Sequence, residues 1–178
     1  MKKLGFTLAE VLITLAIVGF IASITLPSLN ASTNERQHIT ALKKSINTLT
    51  NAAMFASMED GRDFSSISNR KEIRAILNLG ANVNTDAPAK IAGSNNAIFF
   101  RDGTALLYGD DKDITTTEKT NGISVTIDTN GEKGPNRVST CQATDCSGQR
   151  SINDRYSVLL KGTMVIPNDA PSRWAMSR

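Results

Sequence analysis

Residues 6–27, FTLAEVLITLAIVGFIASITLP, hold a single charged side chain, Glu10, in a run that is otherwise apolar or small. In a helix, roughly 20 such residues at about 1.5 Å each reach about 30 Å, enough to cross the hydrocarbon core of a bilayer. Lys2 and Lys3 precede the run and no basic residue lies inside it. That asymmetry sets the N-terminus on the cytoplasmic side and the rest of the chain outside. A charge in the middle of an apolar span is expensive and by default functional. Glu10 is therefore the residue that any reading of this segment has to explain.

A secretory signal peptide is one reading, since the start is basic and the centre apolar. No Ala-x-Ala site follows the run, and Ile21-Ala22-Ser23 is a poor substitute. A plain signal anchor is another. Glu10 fits neither. The string Lys2-Lys3-Leu4-Gly5-Phe6-Thr7-Leu8-Ala9-Glu10 closely resembles the leader and cleavage site of type IV pilins and type II secretion pseudopilins. Gly19 and Pro27 also fall where such proteins carry a glycine and a proline. The resemblance covers about the first 30 residues. It implies that a prepilin peptidase cuts after Gly5 and methylates Phe6. It implies too that Glu10 pairs with the N-terminal amine of a neighbouring subunit. The partners implied are the peptidase, other pilin or pseudopilin subunits in a helical polymer, and an inner-membrane assembly platform.

The physics of that pairing is coherent. A carboxylate in apolar surroundings needs a positive partner. Before cleavage Gly5 is bonded to Phe6 and no amine exists there, so cleavage acts as an assembly switch.

The chain has 178 residues, 40% hydrophobic and 21% charged, which suits one domain with a terminal appendage. Of the +3 net charge, Lys2 and Lys3 supply two; without them 18 basic residues face 17 acidic ones, a net of +1. A sequence pI near 9.0 is thus weak evidence for nucleic-acid binding. Aromatic content of 5% offers no base-stacking platform. One histidine, His38, and two cysteines, Cys141 and Cys146, leave no zinc spacing and no Cys-His pair for covalent catalysis. No metal or organic cofactor is required by these residues, and the chain reads as a non-enzyme.

Beyond Pro27 the pattern becomes one-sided. Ile39, Leu42, Ile46, Leu49, Ala53 and Ala56 form a helical stripe that Met54 and Phe55 widen. One long helix is expected from about Phe6 to Met58, ending before Asp60-Gly61, with Gly19 to Pro27 as a kink or melting point. A short helix is expected from about Asn69 to Leu77, capped by Asn69 and followed by Gly80. Gly80 to Asn96 reads as loop. Hairpins are expected at Ala97–Phe100 with Thr104–Tyr108, and at Arg155–Leu160 with Thr163–Ile166, and a strand at Ile123–Ile127. The expected fold is α+β and pilin-like: a long N-terminal helix, transmembrane in its first half, packed on a small antiparallel β-sheet head. The expected divisions are a leader over 1–5, a transmembrane and filament-core helix over 6–27, the amphipathic half of the stalk over 28–60, and an α/β globular periplasmic head over 61–178.

Three features stand out in the head. The stretch from Asp128 to Asn136 is built of turn formers, so a tight turn is the plain reading. Asp128, Asn130 and Glu132 also offer hard oxygens at alternate positions, the beginning of a calcium loop, though the carboxylate spacing of an EF-hand is missing. Some pseudopilins bind calcium in a C-terminal loop, which the resemblance adds to that expectation. The Asp-x-Asn-Gly-x-x-Gly-Pro-Asn string, followed by Asp154-Arg155-Tyr156 and a final hairpin, looks like the heads of secretion pseudopilins. Cys141 and Cys146 bracket four residues and are expected to form a structural disulfide. Asp110-Asp111-Lys112-Asp113 reads as a solvated loop, His38 as a surface residue, and Trp174 as either a sheet cover or a partner contact.

The function expected is a structural subunit of a type II secretion pseudopilus or type IV pilus-like filament, in the bacterial inner membrane with its head outside. The alternative is a non-polymerising, membrane-anchored periplasmic binding module, with or without a dependence on calcium. A third reading, a tethered hydrolase, needs a nucleophile that the sequence does not offer.

Overall fold

The computed structural model describes residues 5, 7–86, 90–91, 94, 96–142, 146 and 150–178, without the side chains of 26–32 and 150. The chain forms two compact units, Met1–Gln37 and His38–Arg178, and helix α1 (Leu8–Glu59, 52 residues) runs through both. Its helical assignment is unbroken from Gly19 through Pro27, so the expected melting point is absent. It stops where expected. Asp60 N–H still bonds to the Ala56 carbonyl, and Gly61 at φ +66° takes the left-handed turn that β-carbons resist.

In the first unit the described apolar part of the helix is exposed. The 18 residues Leu8–Thr25 have a mean hydropathy of 2.2, and none is buried. Length and composition suffice to cross a membrane.

The second unit begins with the striped part of α1. Leu42, Ile46, Leu49, Ala52, Ala53 and Ala56 are buried, and Ile39 packs at the edge of the same cluster. Met54 and Phe55 do not widen the stripe: they are about half exposed, because Ala52 and Ala53 are the residues turned inward there. The core they join contains Ile98, Leu106, Ile123, Val125, Ile127, Tyr156, Val158 and Leu160. Each fully buried Leu or Ile contributes about 1.5–3 kcal/mol of transfer free energy.

These come from a five-stranded antiparallel sheet: β1 (Ala97–Phe99), β2 (Ala105–Leu107), β3 (Ile123–Asp128), β6 (Arg155–Lys161) and β7 (Met164–Pro167), in that spatial order. Both expected hairpins are present. Along β3, Ile123, Val125 and Ile127 are buried and Ser124 is exposed, the alternation of a strand with one face on the core. The β1–β2 hairpin departs from that pattern and is buried on both faces. Ala97, Phe99, Ala105 and Leu107 form a second cluster with Ile91, which the loop after α2 brings across. A separate two-stranded ribbon, β4 (Thr140–Cys141) with β5 (Arg150–Ser151), carries the Cys141–Cys146 disulfide, with Cα atoms 5.1 Å apart. Cys146 belongs to the main core, so the bridge ties this excursion to it.

Helix α2 (Glu72–Gly80) corrects two expectations. Asn69 does not cap it. Its Oδ1 accepts from Lys71 N–H, and Glu72 Oε1 accepts from the N–H groups of Ser68 and Asn69, which forms a turn before the helix. Gly80 does not follow the helix but ends it, pressed against α1: a β-carbon there would lie 2.6 Å from Ala52 Cα. The glycine serves close approach of two helices. We expect Gly80→Ala to destabilise the head by about 1–3 kcal/mol, the usual overpacking cost, in a denaturant titration followed by Trp174 fluorescence. An unchanged midpoint would contradict the tight contact.

Two short helices went unrecognised in the sequence, and both are capped. Helix α3 (Thr116–Asn121) starts with a Thr115/Glu118 capping box, and α4 (Ala170–Met176) with Asp169 and Ser172. Glu118 also meets Arg70, whose guanidinium donates to the carbonyls of Tyr108 and Ser124. Thr115 N–H, against the opposing effect of partial burial, holds the Glu118 carboxyl below its ordinary 4.5, helped by Arg70 and the Thr115 hydroxyl. A depressed carboxyl stabilises above its unfolded value and loses that contribution as pH falls through the folded one. Glu118→Gln should therefore flatten the decline in Tm below about pH 4.5, and leave less effect at strongly acid pH. Helix α4 resolves the place of Trp174, which is 8% exposed and belongs to the core, with Arg178 5.2 Å above its ring.

Candidate functional site

The N-terminal segment places its functional residues as follows. Gly5 is exposed and outside any regular element, and Phe6, with the leader residues 1–4, lies outside the described residues. Among the described residues, a β-carbon on Gly5 would meet nothing within 4 Å. Thr7 caps α1. Its hydroxyl accepts from Glu10 N–H at 3.3 Å, and Glu10 Oε2 accepts from Thr7 N–H at 2.8 Å and from the Thr7 hydroxyl at 2.9 Å. This is a complete capping box, satisfying two donors at a helix end that has no preceding turn to do so. The sequence carries its pattern, a threonine three residues before a glutamate at the head of an apolar run, and Thr7 was not singled out for it.

Both bonds use Oε2, and among the described residues Glu10 Oε1 has no partner. Glu10 thus meets the helix end with one oxygen and keeps the other available. Gly19 lies within the exposed span, with nothing within 4 Å of a built β-carbon. Pro27 is helical in its backbone.

The head loop is organised around charges that sequence spacing does not pair. Asp128, last residue of β3, sits directly opposite Arg155, first residue of β6. Arg155 Nε donates to Asp128 Oδ2 at 2.8 Å, and both are buried. Arg155 also donates to Asn136 Oδ1 at 3.1 Å. Asp154, fully buried, accepts from the N–H groups of Asn136 and Arg137 at 2.7 and 2.8 Å, and so folds the loop back on the sheet. Asn136 takes a left-handed φ of +53° there. Burial pushes the Asp128 carboxyl up; Arg155 and Asn130 N–H pull it down, and the nearby Asp154 charge pushes it up again.

His38 belongs to the same network rather than to the surface. Its Nδ1 lies 2.8 Å from Thr129 Oγ1, whose own hydroxyl donates to the Asp154 carbonyl. A histidine 91 positions from its partner gave no local sign of this.

Two of the three residues expected to offer oxygens to calcium, Asp128 and Asn130, are engaged within the loop and sheet. Asp128 already faces a guanidinium, and its Oδ1 accepts from Asn130 N–H. A divalent ion at Asp128 would be held beside a fixed cation. Asn130 donates its amide to the Gly134 carbonyl and keeps one buried, unused oxygen, while Glu132 points to solvent. Among the described residues no group of three or more His, Cys, Asp or Glu could hold a metal. The acidic run from Asp110 to Asp113 is likewise engaged with lysines and Asn69, through Asp110–Lys112, Asp111–Lys71 and Asp113–Asn69.

Comparison with known proteins adds one match. No curated protein and no solved structure matches the chain. The family described as the prokaryotic N-terminal methylation motif matches residues 1–26, the stretch that holds Gly5, Phe6, the Thr7–Glu10 box and the exposed apolar helix. The chain carries the prepilin-type signal of type IV pilins and pseudopilins.

Proposed function

We propose that the chain is a structural subunit of a type II secretion pseudopilus or a type IV pilus-like filament. A prepilin peptidase removes residues 1–5 and methylates Phe6. The apolar part of α1 then anchors the subunit in the bacterial inner membrane, with the head in the periplasm, until an assembly platform adds it to a helical polymer of pilin-type subunits. The free oxygen of Glu10 accepts the amine of a neighbour's Phe6. The contribution is mechanical: no side chain of the head is asked to do chemistry.

The observation that carries this reading is the coincidence of the methylation motif with a helix whose apolar window Leu8–Thr25 is exposed along its length. Leu8, Leu15 and Phe20 are 79%, 63% and 68% exposed. Water is a poor solvent for such a surface, so it requires lipid first and other helices later.

The test is the intact mass and N-terminal sequence of protein extracted from membranes. The expected chain starts at N-methylated Phe6. A chain that keeps Met1, or one that starts near Ser23, would overturn the proposal in favour of a simple anchor or a secreted protein.

A further inference from the structure

The scissile bond implied by that reading and the helix start lie close together, and the chain must keep them apart. Helix α1 begins at Leu8, and Gly5 and Thr7 are non-helical. A protease has to reach an amide from one face, with its carbonyl free to be polarised. An amide inside a helix has its N–H and C=O committed and its flanks covered by side chains. In cleavage, water's hydroxyl adds to the Gly5 carbonyl carbon and the Phe6 nitrogen leaves with a proton, giving a carboxylate and an amine. Both atoms need open backbone.

Nothing in the apolar run itself stops the helix from growing upstream. Near a membrane, unpaired N–H groups are costly. A helix without a cap lowers that cost by winding back until its orphan donors reach headgroups and water. The capping box removes the incentive at a definite place. Glu10 Oε2 takes Thr7 N–H and Thr7 Oγ1 takes Glu10 N–H, so two of the orphan donors are satisfied with the helix beginning at Leu8. Gly5, a weak helix former, adds to the same boundary from the other side.

We propose that Thr7 is a positioning residue for processing: by capping α1 it holds the Gly5–Phe6 bond outside the helix, where a peptidase can bind it. The inference rests on the processing reading above and adds a residue to it. Thr7 touches none of the reacting atoms. It acts through where the helix starts.

The experiment uses full-length protein in detergent micelles with a prepilin peptidase, and follows initial cleavage rates by intact mass. Loss of an N-cap shifts the helix boundary enough that Thr7→Val, which keeps the branched shape and loses the hydroxyl, should be cut about fivefold more slowly. Thr7→Ser should be cut at the wild-type rate. A proline at the first helical position forces a boundary without any hydroxyl, so Leu8→Pro added to Thr7→Val should restore the rate. Equal rates for wild type and Thr7→Val would overturn the inference. So would a double variant that stays slow, since that means the hydroxyl is read directly by the peptidase. Wild-type protein that is not cut between Gly5 and Phe6 would instead overturn the processing reading itself.

Discussion

Glu10→Ala is expected to give a protein that inserts in the membrane and is still cut after Gly5, yet does not polymerise, with at least a tenfold loss of filament in sheared fractions and electron micrographs, the factor that only about 1.4 kcal/mol represents. Glu10 is the one charge in residues 6–27. In apolar surroundings a carboxylate without a cation costs several kcal/mol. The Thr7 box relieves part of that cost through Oε2 and leaves Oε1 for a second partner. An amine from a neighbour meets the need at one axial position only, so the pairing sets register as well as affinity. Alanine removes both the cost and the register. Glu10→Gln separates charge from hydrogen bonding, because glutamine can keep the box and still cannot pair with an ammonium as a carboxylate does. Filaments of ordinary number and length from Glu10→Gln would show that the charge is not what joins subunits. Gly5→Ala should act one step earlier and leave the precursor uncut.

Arg155→Met should destabilise the head by about 3–5 kcal/mol at neutral pH, because it leaves Asp128 ionised and buried without its counter-charge. Asp128 is fully buried and Arg155 Nε is 2.8 Å away. The pH dependence has a defined sign. Burial already holds the Asp128 carboxyl above its ordinary 3.8, and removal of the guanidinium drives it further up. A raised carboxyl favours the folded state below its unfolded value and loses that advantage as pH rises through the folded one. The variant should therefore recover stability as pH falls, relative to wild type. Joining Asp128→Leu to Arg155→Met should return most of the loss, as apolar replacement of a buried pair commonly does. Chemical unfolding read by Trp174, the single tryptophan and a core residue, measures all three proteins. A deficit independent of pH, or a double variant no better than the single, would mean that packing rather than charge holds the β3–β6 end.

These two residues sit at opposite ends of what the sequence reveals. Glu10 was legible because its environment is local. No other residue in 6–27 is charged, the prepilin-type string is contiguous, and the helical period puts the Leu42 to Ala56 stripe on one face. The strands were legible for the same reason, since alternation at Ile123, Val125 and Ile127 needs no knowledge of partners. Capping boxes at Thr7, Thr115 and Asp169 follow an equally local pattern, a residue and the third one after it.

Asp128 shows the limit. From sequence it stood beside Asn130 and Glu132, and their alternating oxygens pointed to a cation from solvent. In the fold its nearest charge comes from Arg155, 27 residues away, because antiparallel pairing of β3 with β6 places the two directly opposite. Gly80 and His38 repeat the lesson: one is small because Ala52 lies against it, the other meets Thr129, 91 positions away. The sequence by itself determined the exposed apolar span, the prepilin-type signal, the lone carboxylate and the order of the long helix and the main strands. Each of these depends on neighbours along the chain and on the contrast between water and apolar phases. Only the tertiary structure decided which buried charges meet and which glycine is crowded, because those follow from strand register and helix approach, and neither is written at any one place in the chain.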